Sequence, residues 1–508
     1  MNTYMNALKN TTNFTHTENG MLTHKTTESA VLDMFGQAAA YRNRSDEDCI
    51  LLFKNAFEED PILALKCLFY LRDVRGGQGE RRYFRTVYRW LCKNEPRIAT
   101  TNLEKIPEFG RWDDLIYITE STDLETPAFY LIKYQLQIDK QSKTPSLLAK
   151  WMPSQNASNA ETKRLGHKLA NFLEMTDREY RKTLSALREK IKVLETLMSE
   201  NRWDEIEFDK IPSRAGLIYK NAFAHKEVTA ARYAAFIKDK NTKVNASVLY
   251  PYDIAHRIFS DRYRLSSRSY DDPERIVFNK YWDNLPDIYQ GREENAIAIV
   301  DTSGSMSGQP MEVAISLGAY VADKAKGPFA NHFITFSANP QLQEFTGVDI
   351  VDKFIRCQDT DWGQNTNIEA VFNLLLKTAI NNNVAAKDMP QRLYIFSDMQ
   401  FDQCVCFNED DASSSRWMWH RIYTSESKIQ TGLEKIATKW KQHGYELPQV
   451  VFWNLSAGAN NCIPALGERF SYVSGFSPNI LKQILTGKTN YDLMLEVLCS
   501  DRYKNIKI

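Results

Sequence analysis

Ala296-Ile297-Ala298-Ile299-Val300-Asp301-Thr302-Ser303-Gly304-Ser305 is the stretch on which the fold turns. Five small or β-branched apolar residues in a row predict a strand buried on both faces, the kind found in parallel sheets. Ligands of open α/β sheets bind beyond the carboxyl ends of such strands. At that end Asp301, Ser303 and Ser305 set a carboxylate and two hydroxyls at alternate positions. Oxygen donors of this kind suit Mg²⁺ or Mn²⁺ rather than zinc, which prefers nitrogen and sulfur.

Three oxygens do not fill an octahedral shell, so further ligands must come from other strand ends. Thr366 lies in the loop Asp361–Asn367, just ahead of an apolar helix pattern, and Asp398 follows the apolar run Leu393-Tyr394-Ile395-Phe396. A solvated turn is the alternative reading of the short motif alone. Taken in order, Asp-x-Ser-x-Ser, a loop Thr and a strand-end Asp resemble the metal-ion-dependent adhesion site of von Willebrand factor A domains. The resemblance implies Mg²⁺ or Mn²⁺ held by Asp301, Ser303, Ser305, Thr366 and Asp398. It also implies an acidic group from a protein partner completing the metal shell.

The surrounding pattern alternates strands with helices. Strands are predicted at Asn295–Val300, His332–Ser337, Arg392–Phe396, Gln449–Leu455 and Phe470–Ser474. Helices are predicted at Pro310–Lys326, Ile368–Asn381, Thr424–His443 and Pro478–Leu485. Such alternation implies a doubly wound α/β domain over residues 291–508. Asp402–His420, with an acidic run, serines and two tryptophans, reads as a surface insertion.

Residues 1–28 are rich in Thr and Asn and read as an extended or flexible arm, placed to pack across the join between two modules. From 29 to 290 the pattern is helical and divided by prolines, as in a degenerate helical (HEAT-like) repeat. Thr176-Asp177-Arg178-Glu179 is a capping box, followed by Tyr180, Leu184, Leu187, Ile191, Leu194 and Met198 at helical spacing. Pro61–Tyr70 and Tyr83–Lys93 read as two more helices.

Between those two lies Arg72-Asp73-Val74-Arg75-Gly76-Gly77-Gln78-Gly79-Glu80-Arg81-Arg82, with Arg85 one turn on. Glycine lets backbone amides approach a phosphate, and arginine clamps phosphate or stacks on bases. The competing reading is a glycine turn whose arginines pair with Asp73, Glu80 and carboxylates elsewhere. The Leu-Arg-Asp-x-Arg-Gly-Gly-Gln-Gly run, with Ala149–Pro153 and Ile211–Ala215, resembles the TROVE module of Ro-type ribonucleoproteins. The likeness is closer still to a group of viral, bacterial and plant proteins sharing this two-part layout. It implies a ring of helices that binds structured or single-stranded RNA and is closed by the A domain. Arg72, Arg75, Arg81, Arg82 and Arg85 are then the RNA-binding candidates, with at least three expected to be exposed on one side.

Composition sets outer bounds. A 43% hydrophobic content supports real cores. Net charge is zero, and residues 291–508 carry 20 Lys and Arg against 24 Asp and Glu, which leaves 44 against 40 for residues 1–290. Eight scattered cysteines suit reduced thiols in a cytoplasmic protein. No apolar run is long enough to span a bilayer, so no membrane partner is expected. No Walker A, nucleophile elbow or histidine–acid pair is present, so an enzyme is not expected. The expectation is an RNA-binding protein with a metal-bearing A domain. A protein-assembly adaptor without nucleic acid and a metal-dependent nuclease are the alternatives.

Overall fold

The computed structural model describes residues 13–287, 289, 293, 295–336, 340–358, 366–403, 431–458, 462–484 and 489–508. The chain is mainly helical up to residue 283 and then alternates strands and helices. The first twelve residues of the expected arm, most of the expected insertion at 402–420 and the start of the helix predicted from Thr424 lie outside the described residues.

The arm expectation gives way to a hairpin. Phe14–His16 (β1) pairs antiparallel with Leu22–His24 (β2). Three-residue strands are too short to register as period-two alternation. The hairpin packs against the α/β part rather than across the join: His24 and Ile463 exchange backbone hydrogen bonds of 2.8 and 2.9 Å. Met21 is fully buried among sheet residues.

Helices then follow one another to Pro273–Asp283, ranging from 4 to 17 residues. Local chemistry sets several ends. Asp60 accepts from the Leu63 N–H and Pro61 opens the helix Pro61–Arg72, which was expected over Pro61–Tyr70. The Thr176 capping box is formed in both directions and opens Asp177–Lys190. The predicted single helix through Met198 is broken after Lys190. Lys192 adopts a left-handed conformation, and a second helix begins at Leu194. Apolar spacing survives such a break because both pieces face the same core.

The sheet has six strands in the order β5-β4-β3-β6-β7-β8. Ala296–Val300 (β3), His332–Thr335 (β4), Arg392–Ser397 (β6), Gln449–Asn454 (β7) and Phe470–Ser474 (β8) are mutually parallel. Gln341–Glu344 (β5) is an antiparallel edge strand. It was not predicted, and its polar sequence and exposed side chains explain why. The helix Ile350–Gln358 is likewise additional, and Pro310–Lys326 is realised as Gln309–Lys324.

The period-two alternation of the central strands divides the core. Ala296, Ala298, Val300, Tyr394, Phe396, Val451 and Trp453 point to a cluster continuous with the interior of the helical part. Ile297, Ile299, Leu393, Ile395, Val450 and Phe452 point to the other face, under Ile368–Asn381 and Gly432–Gln442. That first face is covered by the helix Gln309–Lys324, and through this helix and the β8 edge the core runs on into the helical part.

Candidate functional site

Val300 and Phe396 are opposite one another in adjacent parallel strands, so the residues that follow leave the sheet side by side. Asp301 keeps the register one step further, donating its N–H to the Phe396 carbonyl at 3.0 Å. Asp301 is 0% exposed and Asp398 4% exposed. One Asp301 oxygen accepts from the Ser303 N–H at 2.9 Å and the other from the Ser397 hydroxyl. Ser303 and Ser305 hydroxyls stand 3.1 Å apart, and Ser305 in turn hydrogen-bonds Asp398. Ser305 is exposed, so the cleft opens to solvent there.

Both carboxylates resist ionisation. Burial, then the facing Asp398 charge, pushes Asp301 up to about 6. Burial also raises Asp398, against hydrogen bonds from Ser305 and the Gln400 N–H. Among the described residues, no cationic side chain is named as acting on either. Met399 holds a left-handed backbone conformation between Asp398 and Gln400. For a side chain of that size the conformation costs about 1–3 kcal/mol, a form of strain that collects at functional sites.

Thr366 is buried and joins the cluster indirectly. Its hydroxyl donates to Asp402 at 2.8 Å and accepts from Asn19 Nδ2 at 2.9 Å. Asn19 Nδ2 also reaches the Gln400 carbonyl, two residues beyond Asp398, at 2.7 Å. Sequence reasoning missed Ser397, Gln400, Asp402, Glu18 and Asn19. Asp402, four residues after Asp398, carried a weak signal, whereas Glu18 and Asn19 are more than 340 residues from their contacts. Two carboxylates and three hydroxyls are a donor set that fits Mg²⁺ or Mn²⁺. Among the described residues, no group of three or more Asp, Glu, His or Cys gathers to hold a metal.

The five candidate arginines have different fates, and the exposure expected of them is corrected. Arg72 is 2% exposed and makes two hydrogen bonds to Asp114, at 2.9 and 2.7 Å. Arg85 donates to the other Asp114 oxygen at 2.6 Å and to Asp113 at 3.1 Å. Burial opposes ionisation of Asp114, but Arg72 and Arg85 outweigh it and hold the carboxyl below its usual range. Arg82 is half-buried and pairs with Asp46 at 2.6 Å. Arg75 is exposed and donates to the Glu108 carbonyl, and Arg81 is exposed. Two of the five are thus exposed, because long-range carboxylates claim the others.

The glycine loop itself is a joint. Asp73, fully buried, accepts from Arg502 and from the Tyr503 hydroxyl. Asn479 reaches the Gly77 carbonyl at 3.3 Å, and the Tyr250 hydroxyl donates to the Gln78 carbonyl at 3.0 Å. A Cβ at Gly77 would clash with the Tyr70 carbonyl oxygen, and Gly79 takes a positive φ of 65° beneath Tyr250. Close backbone approach is what the glycines provide, toward protein.

Comparisons with known proteins follow this two-part layout. A family described as Domain of unknown function (DUF2828) matches residues 17–123 and 135–289. One described as Domain of unknown function (DUF7788) matches residues 295–504. Uncharacterized protein L728 of Acanthamoeba polyphaga mimivirus is 31% identical over 519 residues, covering 94% of this chain and 85% of that protein. These matches name neither a TROVE nor a von Willebrand A family. Among the described residues, no helix is long and apolar enough to cross a membrane.

Proposed function

The chain belongs to the DUF2828 family, and on that footing we propose that it is a non-catalytic binding protein whose sheet edge takes Mg²⁺ or Mn²⁺. Ser303, Ser305 and Thr366 offer hydroxyl ligands, with Asp301 and Asp398 as the charged ones. The bound ion supplies an electrophilic point at which an acidic group is met. One observation carries this reading. Asp301 and Asp398 are both buried and both raised, the Asp398 charge acts on Asp301, and among the described residues no cationic side chain is named as acting on either. Two facing carboxylates out of water are costly unless protonated or bridged by a cation.

The resemblance to a von Willebrand A adhesion site supports the same residues. A nuclease reading has less support, because Asp301 and Asp398 are both used as ligands. RNA binding by a helical-repeat ring rests on the TROVE resemblance together with the exposed Arg75 and Arg81. Calorimetric titration with Mn²⁺ tests the main reading. Saturable binding by the full chain, lost in Asp301→Ala, is expected. Undiminished affinity in that variant would refute it. Nucleic acid recovered with the purified protein would bring the RNA reading forward.

A further inference from the structure

The run Ala149–Pro153 continues into a short segment wrapped around one arginine of the helix Asp177–Lys190. Arg188 Nε donates to the Ala149 carbonyl at 2.9 Å, Nη2 to the Met152 carbonyl at 3.1 Å and Nη1 to the Ser154 hydroxyl at 3.2 Å. The same helix ties the segment twice more. The Tyr180 hydroxyl donates to the Pro153 carbonyl at 2.9 Å, and Asp177 accepts from Gln155 Nε2 at 2.7 Å. A Cβ on Gly166 would stand 3.0 Å from the Pro153 carbonyl oxygen, so the helix Ala160–Phe172 presses on it too.

All three hydrogen bonds of Arg188 go to neutral acceptors, and among the described residues it forms no ion pair. Burial works against its charge. A guanidinium carries five N–H donors, so two are left over, and Ser154 keeps its own proton to donate.

Two hollows meet at this pair, and Arg188 and Ser154 line both. The first, about 270 Å³, has aromatic walls in Tyr117 and Trp151, with Lys150 beside them. The second, about 340 Å³, is lined by Ser185, Thr196, Ser199 and Arg181. Gln155 lines it as well, 3% exposed, and its buried Oε1 has no hydrogen-bond partner in the protein. A ligand hydroxyl or amine would satisfy that acceptor. The acids of the hollows already have cations: Asp113 pairs with Arg85 and Arg111, and Glu200 with Arg202.

We infer that this junction binds a dinucleoside phosphodiester: Arg188 and Ser154 take the phosphate, the aromatic hollow takes one base, and the polar hollow takes the adjoining nucleoside. The planar guanidinium fork matches phosphate oxygens, and aromatic side chains stack on any base. A phosphate held between two hollows needs a substituent on each side, which a diester has and a monoester lacks. A bare carboxylate would use Arg188 but leave the aromatic walls and Gln155 unfilled.

Calorimetric titration of the full chain with the four ribo-homodinucleotides, adenosine monophosphate and inorganic phosphate tests the inference. At least one dinucleotide should saturate, with the monophosphate and inorganic phosphate about tenfold or more weaker. Arg188→Lys keeps the charge but loses the fork, and should bind about tenfold or more weakly. Arg181→Ala, at an exposed position, should melt like the wild type and bind more weakly. No dinucleotide binding by the wild type, or inorganic phosphate binding as tightly, would overturn the site. So would wild-type affinity in an Arg188→Lys variant that melts normally. Should that variant melt early, Arg181→Ala decides, and wild-type affinity there overturns the site as well. A tetranucleotide binding more tightly than its dinucleotide marks a strand as the source, and equal or weaker binding marks the free dinucleotide. The sheet edge plays no part in these titrations, so their failure leaves the cation reading standing.

Discussion

Asp114, on the helix Trp112–Thr119, and Asp301, at the end of β3, are both sealed from solvent. Asp114 meets the guanidiniums of Arg72 and Arg85, and its carboxyl is held down. Asp301 meets Asp398 and hydroxyls, and its carboxyl is pushed up to about 6. Burial is common to both, so the neighbours decide the sign. A buried carboxylate with its own cation is a brace. One without it is a vacancy in the charge balance, and such sites are where ligands bind.

Removing the brace should have the largest effect. Asp114→Asn strands the buried Arg72 charge, and loss of one partner of a buried pair costs roughly 3–5 kcal/mol. A urea melt at neutral pH should register it. The same pair fixes a pH dependence: a depressed carboxyl gives stability that is present above its unfolded value and lost as pH falls through the folded one. If Asp114→Asn melts like the wild type, the contrast between the two clusters fails.

Asp301 should behave with the opposite sign. Its folded value of about 6 lies above the unfolded value, so the metal-free fold takes up a proton as pH drops. In EDTA, stability should fall as pH rises from about 4 to 6, by on the order of 3 kcal/mol. Mg²⁺ should restore it at neutral pH. Thermal melts across that range, with and without Mg²⁺, measure both effects. In EDTA, Asp301→Asn should flatten the profile.

The smallest effect is expected at the loop surface. Arg81→Ala with Arg82→Ala removes one exposed side chain and one ion pair on the surface, worth about 0–1 kcal/mol. A near-unchanged melt paired with weaker binding of every RNA tested, and a salt slope lower by about 0.7–0.9 per phosphate contact, would favour the RNA reading. An unchanged melt with no RNA binding at all would leave the loop as a joint alone.

How much could be read beforehand follows from sequence distance. The strand run 296–300, the strand-end Asp398 and the Thr176 cap are local patterns, and each appears where its pattern predicts. Arg72 and Arg81 differ in nothing local. One is buried because Asp114 lies 42 residues away along the chain, and no spacing rule reaches that far. Met21 and Leu22 are one adjacent apolar pair within a polar stretch, so the burial of Met21 in the sheet core had no periodicity to announce it.

The Asp73–Tyr503 contact joins residues 430 apart, and Met21 completes a core formed mainly by residues beyond 296. Synthesis proceeds from the amino terminus, so Asp73 is made long before the guanidinium and phenol that surround it. Until residue 503 leaves the ribosome, the Asp73 carboxylate lacks Arg502 and the Tyr503 hydroxyl, and the hairpin waits for its sheet. Contacts of such long separation slow folding and keep nascent chains exposed to aggregation. Cutting the chain at 290 to obtain the two halves separately would freeze both in that unfinished condition. The natural unit for expression is the whole length, and coexpressed halves should rescue one another where single halves precipitate.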